Sequence, residues 1–265
     1  MNKNVVLFDL DGTLTPSRGH ITSNNYNAIY KLLENNIRVG IVTGSSLEYV
    51  KQQIPVELFL DGLEVFSCNG TQHNVLVEGQ WKTIGEGYDI KDVLGSVAYS
   101  QLVLTLLQAQ RYVMMSFDLP YTGSFVSYRG SMVNWSPIGR EATQKERQKF
   151  VDFDMKNKWR DTTIETIRNN IEGLPLKQNV KLLIKLAGET SFDIYPEGWD
   201  KTIVLKRFSE GEKLWFIGDR CSGNGNDKEI YEALVGQGTA FSVKHHTETP
   251  EIVKDIINRI NNASL

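Results

Sequence analysis

Two aspartates separated by one residue follow directly on the first apolar run of the chain. Residues 5–15 read V-V-L-F-D-L-D-G-T-L-T, so Asp9 and Asp11 come just after a strand predicted at Val5–Phe8. Open α/β sheets bind ligands at the carboxyl ends of their strands. Two carboxylates held close together repel each other unless a cation lies between them, one is protonated, or water solvates both. The pattern indicates a nucleophile, Asp9, that forms an acyl phosphate beside Mg²⁺, with Asp11 as proton donor or acceptor.

This motif alone leaves a simpler interpretation open. Asp-Gly is a frequent turn signal, so D-L-D-G-T also fits a turn without any catalytic role. A calcium-binding EF-hand loop is excluded, because it needs Gly where Leu14 stands and Glu where His20 stands.

A second apolar run ends in the same way. The segment L-W-F-I-G-D-R-C-S-G-N-G-N-D places Gly218 and Asp219 after a strand and leads through a glycine-rich loop to Asn226 and Asp227. In a parallel sheet Asp219 reaches the same edge as Asp9. Both carboxylates and one backbone carbonyl are then suitable ligands for an octahedral Mg²⁺. The alternative is a solvated loop in which Asp227 only caps a helix.

Two further groups could bind phosphate. Thr43-Gly44-Ser45-Ser46 follows a strand predicted at Arg38–Val42, and Asp200-Lys201 begins a helix. The hydroxyl groups of Thr43 and Ser45 and backbone N–H groups can hold phosphate oxygens, and Lys201 can neutralise a charged intermediate. Thr-Gly-Ser is equally an ordinary helix start, so each group is weak evidence by itself.

The elements that must position these residues alternate between strands and helices in two parts of the chain. In the first part we predict strands at Val5–Phe8 and Arg38–Val42 and helices at about Asn24–Glu34, behind Thr22 as N-cap, and Leu47–Gln52. In the second part we predict helices at Asp200–Phe208, Asp227–Leu234 and Glu248–Ile260 and strands at Leu214–Ile217 and Thr239–Ser242. This order is typical of a parallel sheet.

The middle of the chain has a different pattern. Asn69-Gly70 and Glu78-Gly79 indicate hairpin turns, and Gly130 indicates a turn between two antiparallel strands. A helix precedes that pair, and two polar helices and a strand at Lys181–Leu186 follow it.

The combined pattern predicts an α/β fold. We expect residues 1–86 and 187–265 to form a Rossmann-like core with a parallel sheet, and residues 87–186 to form an inserted α+β domain.

Composition restricts the partners. The chain has 265 residues and a formal net charge of −3, without a basic stripe, so a nucleic-acid partner is not expected. Cys68 and Cys221 are too isolated for a disulfide framework or a zinc site. The uncharged run between Asp92 and Arg111 contains too many polar residues for a spanning helix and is interpreted as a largely buried one. No signal peptide precedes the first strand, so we expect a cytoplasmic protein without a membrane partner.

The order D-x-D-G-T, a hydroxyl, Lys and G-D-x(6)-N-D resembles the haloacid dehalogenase superfamily of phosphotransferases. The stretches R-G-S-M-V-N-W-S-P-I-G-R-E-A-T-Q-K-E-R, S-F-D-I-Y-P-E-G-W-D-K and F-D-L-D-G-T-L-T-P-S-R are similar to those of the eukaryotic-type phosphomannomutases. This similarity extends over nearly the whole chain.

The resemblance implies an activity and its cofactors. The expected reaction interconverts mannose 6-phosphate and mannose 1-phosphate through an aspartyl phosphate and a hexose 1,6-bisphosphate, and feeds GDP-mannose synthesis. A mannose or glucose 1,6-bisphosphate would act as activator. A phosphatase acting on sugar phosphates is the alternative, and a non-catalytic phosphosugar-binding protein is the third possibility.

The resemblance also implies residue roles. Asp9 would be the phosphorylated nucleophile and Asp11 the general acid/base, with Mg²⁺ held by the Asp9 side chain, the Asp11 carbonyl and Asp219. The phosphosugar-binding positions would be Arg18, Arg129, Arg140, Arg147, Ser191 and Asp193.

The resemblance further implies that the inserted domain is a substrate-binding cap through which a homodimer forms. Because guanidinium groups bind phosphate bidentately, Arg129, Arg140 and Arg147 on this cap would form a clamp. Scattered surface charges are the alternative.

Overall fold

The computed structural model describes residues 4–85 and 87–263 and confirms an α/β fold. The chain divides into two compact units: a core unit of Met1–Gly87 and Trp199–Leu265, and an inserted unit of Tyr88–Gly198. The strands are β1 (Asn4–Phe8), β2 (Arg38–Val42), β3 (Glu64–Ser67), β4 (Gln72–Val77), β5 (Gln80–Ile84), β6 (Val126–Tyr128), β7 (Val133–Trp135), β8 (Leu182–Ala187), β9 (Ser191–Pro196), β10 (Lys213–Gly218) and β11 (Ala240–Ser242). The α-helices are α1 (Ser23–Glu34), α2 (Leu47–Gln53), α3 (Val56–Leu60), α4 (Ile90–Ser116), α5 (Gln144–Asn157), α6 (Trp159–Glu172), α7 (Lys228–Val235) and α8 (Thr249–Asn262).

The core unit is built on a seven-stranded sheet in the order β11-β10-β1-β2-β3-β4-β5. The pairs from β11 to β3 are parallel, as predicted, and β4 and β5 continue the sheet antiparallel. The turns at Asn69-Gly70 and Glu78-Gly79 are confirmed, and all four residues have positive φ. Strand β1 therefore lies between β10 and β2, and Asp9 follows it near the middle of the sheet.

Alternating side chains of β1 pack into two apolar layers. Val6 and Phe8 join a cluster with α1 and α8, and Val5 and Leu7 join another with α7. Because helices cover both faces of the sheet, its carboxyl edge is where polar side chains can meet a ligand.

The inserted unit has a four-stranded antiparallel sheet in the order β6-β7-β9-β8. One face of this sheet, with Val133, Trp135, Phe192 and Ile194, packs into an apolar cluster with α4, α5 and α6. Side chains of adjacent residues in a strand point to opposite faces, so the intervening polar residues lie on the other face.

Strand β9 belongs to the inserted unit, which therefore ends later in the chain than predicted. The sequence prediction ended this domain at residue 186 and included no strand at 191–196. The structure pairs β9 with β7 and β8, and the inserted unit extends to Gly198. Two local predictions also differ: Lys201–Arg207 is a 3₁₀ helix rather than an α-helix, and the short α3 was not predicted.

The expectation of a largely buried helix between Asp92 and Arg111 is wrong. The run lies in α4, and only 28% of the most apolar stretch of this helix is buried. Within the described part of the chain, α4 is the one helix whose length and composition would suffice to cross a membrane. Gly95, with φ of 75°, interrupts its helical backbone. The large apolar side chains that α4 exposes are Val97, Leu104, Leu107, Tyr112, Met114 and Met115.

Candidate active site

The segment after β1 forms a tight loop at the carboxyl edge of the core sheet. The backbone N–H of Asp9 still donates to the carbonyl of Ile217 in β10, at 2.9 Å. The next turns fold back on Leu10, whose carbonyl accepts from the N–H groups of Leu14 and Thr15 at 2.9 and 3.0 Å. The loop is thus closed by its own backbone, and Asp9 is 6% exposed.

Gly12 allows this loop to pass directly against Asp219. Its φ is 94°, a conformation that favours glycine. A Cβ atom added there would lie 2.5 Å from Oδ2 of Asp219. The glycine in D-L-D-G-T is therefore required by the close approach of the β1 and β10 loops, as well as by the turn.

Lys201, in the C-terminal segment of the core unit, binds Asp9 in the N-terminal segment. Its side chain is fully buried, and its ammonium group donates hydrogen bonds to Oδ1 of Asp9 and, at 2.5 Å, to Oδ1 of Asp227. Asp200 begins the 3₁₀ helix by accepting from the N–H of Thr202 at 2.8 Å. The structure thus places Lys201 in direct contact with Asp9.

Asp227 is a site residue that the sequence prediction missed. The sequence motif includes Asp227 but predicts no site role for it, and the alternative of a helix cap does not hold, because its side chain makes no capping hydrogen bond to α7. Oδ1 binds Lys201, and Oδ2 accepts from the N–H of Arg220 at 3.0 Å. The signal was available in the sequence, since an N-D pair closes the glycine-rich loop that begins with Asp219.

The charges of this cluster are unbalanced. Three carboxylates, on Asp9, Asp219 and Asp227, face two cations, the ammonium group of Lys201 and the guanidinium of Arg220, whose Nε lies 3.4 Å from Oδ2 of Asp219. Burial raises the pKa of Asp9, and the carboxylates of Asp227 and Asp219 add to this effect against the opposing ammonium group. Burial and the neighbouring Asp227 raise the pKa of Asp219 to about 7. Burial alone would lower the pKa of Lys201, but Asp227 and Asp9 raise it above its ordinary value.

The residues present fit a divalent cation. Asp9, Asp219 and Asp227 each offer a carboxylate oxygen within 4.8 Å of the others. Oδ1 of Asp219 is buried without a hydrogen-bond partner among the described residues. Mg²⁺ binds oxygen ligands of this type and would remove the excess of negative charge.

Asp11 and Arg18 lie in the same loop. Oδ1 of Asp11 accepts from the backbone N–H of Arg18 at 2.5 Å, which holds this carboxylate two residues beyond Asp9. The guanidinium of Arg18 lies over the ring of Tyr49, 5.5 Å from its centroid. Arg18 therefore belongs to the core unit, in contrast to the other predicted arginines.

The loop after β2 borders this site, because β2 is the parallel neighbour of β1. Oγ1 of Thr43 accepts from the N–H of Ser45 at 3.1 Å, and Thr43 is buried. The carbonyls of Thr43 and Ser45 accept from the N–H groups of Asn69 and Cys68 at 2.8 and 3.0 Å. Backbone hydrogen bonds thus fix the hydroxyl-bearing loop at the edge where Asp9 lies.

The remaining predicted binding residues lie in the inserted unit. Asp193 is opposite Asn134 in the register of β9 and β7, and Nδ2 of Asn134 donates to its Oδ1 at 2.7 Å. An amino group of the Arg129 guanidinium lies 3.7 Å from the same oxygen. Ser191, two residues before Asp193 in β9, lies on the same face of the sheet. The sequence prediction missed Asn134, which orients Asp193.

Arg140 and Arg147 follow β7. The N–H of Arg140 donates to the carbonyl of Ser124 at 2.9 Å, and Arg147 lies in the first turn of α5, 4% exposed. A capping box formed by Thr143 and Glu146 begins this helix. The burial of Arg147, and the 10% exposure of the Arg129 side chain, do not fit scattered surface charges.

Comparisons with known proteins give a consistent result. A family model described as eukaryotic phosphomannomutase matches residues 26–259. The chain is 33% identical over 259 residues to phosphomannomutase 2 of Dictyostelium discoideum, which covers 96% of this chain and 97% of the relative. It is 36% identical over 237 residues to a phosphomannomutase of Encephalitozoon cuniculi, covering 86% and 84%.

Solved structures show the fold at much lower sequence identity. An IMP-nucleotidase of Plasmodium falciparum has a TM-score of 0.63 at 14% identity, covering 97% of this chain and 68% of the neighbour. A haloacid dehalogenase-like hydrolase of Bacteroides thetaiotaomicron has a TM-score of 0.53 at 15% identity, covering 96% and 99%.

Proposed function

Because the chain belongs to the eukaryotic phosphomannomutase family, we propose that it interconverts mannose 6-phosphate and mannose 1-phosphate. The match to named phosphomannomutases over nearly the whole length supports this reaction. The observation that carries the proposal in the structure is the buried cluster in which Lys201 holds Asp9 beside Asp219 and Asp227. A non-catalytic binding protein has no need of such a cluster, because burying charged groups is costly.

In the proposed reaction the side chain of Asp9 carries the phosphoryl group that is given to one hexose hydroxyl and later received from another. The bond between phosphorus and the Asp9 oxygen breaks as the free hydroxyl of a hexose monophosphate attacks, and Asp11 takes the proton of that hydroxyl. The resulting hexose 1,6-bisphosphate then presents its other phosphate. Asp9 attacks this phosphorus, and Asp11 returns the proton to the departing sugar oxygen.

We propose Mg²⁺ and a hexose 1,6-bisphosphate as cofactors. The side chains of Asp9 and Asp219 and the carbonyl of Asp11 would hold the cation, and Asp227 offers a further carboxylate. When bound, the cation screens the repulsion between a carboxylate nucleophile and a phosphate dianion. Lys201 keeps the Asp9 carboxylate oriented by its hydrogen bond to Oδ1. A mannose or glucose 1,6-bisphosphate supplies the first phosphoryl group and so acts as activator.

We further propose that the inserted unit is a substrate-binding cap. Arg129, Arg140 and Arg147 would hold the phosphate that is not being transferred, and Arg18, Ser191 and Asp193 are further proposed phosphosugar-binding residues. Thr43 and Ser45 would contact the transferring phosphate. The burial of Arg147 and the 10% exposure of the Arg129 side chain support this role, because a charge-assisted hydrogen bond to phosphate is strongest where water is excluded.

Assembly and location are part of the same proposal. The exposed apolar side chains of α4 support a homodimer through the cap, because a second copy would remove them from water. Size-exclusion chromatography with light scattering should show a dimer, and Leu104→Glu combined with Met115→Glu should give a monomer. A monomeric wild-type protein would refute this assembly. The two buried free cysteines, Cys68 and Cys221, support a reducing location such as the cytoplasm.

The proposed reaction can be tested with a trace of bisphosphate. The protein is incubated with mannose 1-phosphate and Mg²⁺, with and without hexose 1,6-bisphosphate, and mannose 6-phosphate and free phosphate are measured together. We expect mannose 6-phosphate in large excess over phosphate, and only with the primer. If phosphate dominates regardless of primer, the protein is a phosphatase and the mutase proposal is wrong.

A further inference from the structure

The side chain of Gln110 links α4 to the loop that carries Arg140. Gln110 lies on the buried face of α4 and is 4% exposed. Its Nε2 donates to the carbonyl oxygen of Pro137 at 2.9 Å, and its Oε1 accepts from the indole N–H of Trp135 at 2.9 Å. One amide group therefore holds the last residue of β7 and the loop that leaves this strand.

The two partners of Gln110 require this type of side chain. A backbone carbonyl only accepts, and an indole N–H only donates, so the residue on α4 must offer one donor and one acceptor. Leucine offers neither, and an ionised glutamate offers no donor. Trp135 and Pro137 are buried, so a lost partner would leave an unsatisfied polar group away from water.

The opposite edge of the same loop is already fixed by backbone contacts. The N–H of Thr122 donates to the carbonyl of Ile138 at 2.8 Å, and the N–H of Arg140 donates to Ser124 at 2.9 Å. Gly139 has φ of 86°, and a Cβ added there would lie 1.8 Å from the carbonyl oxygen of Thr122. The 122–125 segment thus holds one side of residues 136–140, and Gln110 holds the other.

We propose that Gln110 is a positioning residue for Arg140 and, through it, for the phosphosugar. Gln110 acts by fixing the Pro137 carbonyl and Trp135, which sets the path of the loop up to Arg140. This inference rests on the proposed function, because a shift of Arg140 would change the affinity of the protein for a sugar phosphate. A displacement of about 1 Å caused by a remote mutation can lower activity by up to about a hundredfold.

The first test measures the loop itself. Gln110→Leu removes both hydrogen bonds at similar volume, and Leu106→Ala is the matched control. Leu106 lies four residues earlier on the same buried face of α4 and is fully buried, so its truncation weakens the packing without touching the loop bonds. Amide hydrogen exchange should become faster at Gly139 and Arg140 in Gln110→Leu, and not in the control. Unchanged exchange, or equal acceleration in both variants, would refute the positioning role.

The second test measures binding through a double-mutant cycle. We expect Gln110→Leu to raise KM for mannose 1-phosphate about tenfold with a smaller change in kcat, since it displaces a binding group. In an Arg140→Ala background, the same change should add nothing further, because the group on which it acts is gone. Additive effects on KM would contradict action through Arg140. If the wild-type protein converts no mannose phosphate, the proposed function fails, and the exchange rates still decide whether Gln110 holds the loop.

Discussion

Replacing Lys201 tests the charge balance of the buried cluster directly. In Lys201→Met the side chain keeps its unbranched shape and loses its charge. The carboxylates of Asp9 and Asp227 then remain buried without the ammonium group that now binds both. We expect loss of activity together with a large loss of stability.

The magnitude follows from the burial of all three groups. Lys201 and Asp227 are fully buried and Asp9 is 6% exposed. Removing one partner of a buried ion pair typically destabilises a protein by about 3–5 kcal/mol. At about 2–4 °C per kcal/mol for a chain of this size, Tm of the core unit should fall by roughly 6–20 °C. Lys206→Met is the matched control, because Lys206 lies in the same 3₁₀ helix and is exposed, so its replacement should cost less than about 0.5 kcal/mol.

The assay is thermal and urea unfolding of the metal-free protein, since a bound cation would partly replace the lost charge. Lys201→Met combined with Asp227→Asn should recover part of the lost stability, because one of the two uncompensated carboxylates is neutralised. If Lys201→Met unfolds at the same temperature as Lys206→Met, the buried ion pairs do not contribute as argued. If the double variant is less stable by the sum of the single effects, Lys201 and Asp227 are not coupled.

Five other perturbations have expected outcomes. Asp9→Asn should keep a folded circular dichroism spectrum, because Lys201 keeps Asp227 as its partner and the cluster loses one excess negative charge, and should retain less than about one hundredth of wild-type turnover, because an amide does not attack phosphorus effectively. Exhaustive chelation should abolish phosphoryl transfer, and full activity of the chelated protein would exclude a metal role. Asp219→Ala should weaken Mg²⁺ binding in calorimetry and regain part of its activity at high Mg²⁺. Gly12→Ala should lower both activity and Tm, because its Cβ would lie 2.5 Å from Oδ2 of Asp219 at φ of 94°. Burial raises the pKa of Glu64, but the hydrogen bond from Arg38 outweighs this and holds the pKa below its ordinary value. The ionised carboxylate therefore stabilises the fold above its unfolded pKa, and this stabilisation is lost as pH falls. The Tm difference between wild type and Glu64→Gln should be larger at about pH 7 than at about pH 3.

The elements of the core unit were predictable because local patterns and the global fold agree there. Strand β2 has the predicted bounds, and Thr22 caps α1 by accepting from the N–H of Asn25. Apolar runs ending in polar residues and separated by amphipathic helices allow few arrangements other than a parallel sheet. The position of Asp9 beside Asp219 follows from that sheet.

The inserted unit was less predictable, because its sheet depends on pairing between distant residues. The three-residue strands β6 and β7 were found through the Gly130 turn, which is a local signal. Strand β9 is buried at all six positions and alternates polar and apolar residues from Ser191 to Ile194, but this local signal is only four residues long. Its pairing with β7 and β8 places it in the inserted unit, so this unit continues past the predicted boundary at residue 186.

Within the site, the sequence indicated residue types better than residue partners. Asp227 is part of the motif G-D-x(6)-N-D, but the sequence predicts no partner for it, and helix capping is the usual alternative for an aspartate before a helix. Its actual partner, Lys201, is 26 residues earlier and fully buried. A buried lysine needs carboxylates around it, so the pairing becomes evident only once the burial of Lys201 is known.

Helix α4 shows what an apolar sequence leaves undecided. Core helices, membrane-spanning helices and helices at subunit interfaces are all apolar, so composition does not distinguish them. The structure does, because one face with Leu102 and Leu106 is buried, while Val97, Leu104 and Met115 are exposed on the other side. Polar residues, such as those at 100, 101 and 108, also lie on the exposed side. Lipid would disfavour these side chains, whereas another protein surface can form hydrogen bonds with them. This mixture favours a second protein surface, and so supports the proposed dimer over insertion into a bilayer.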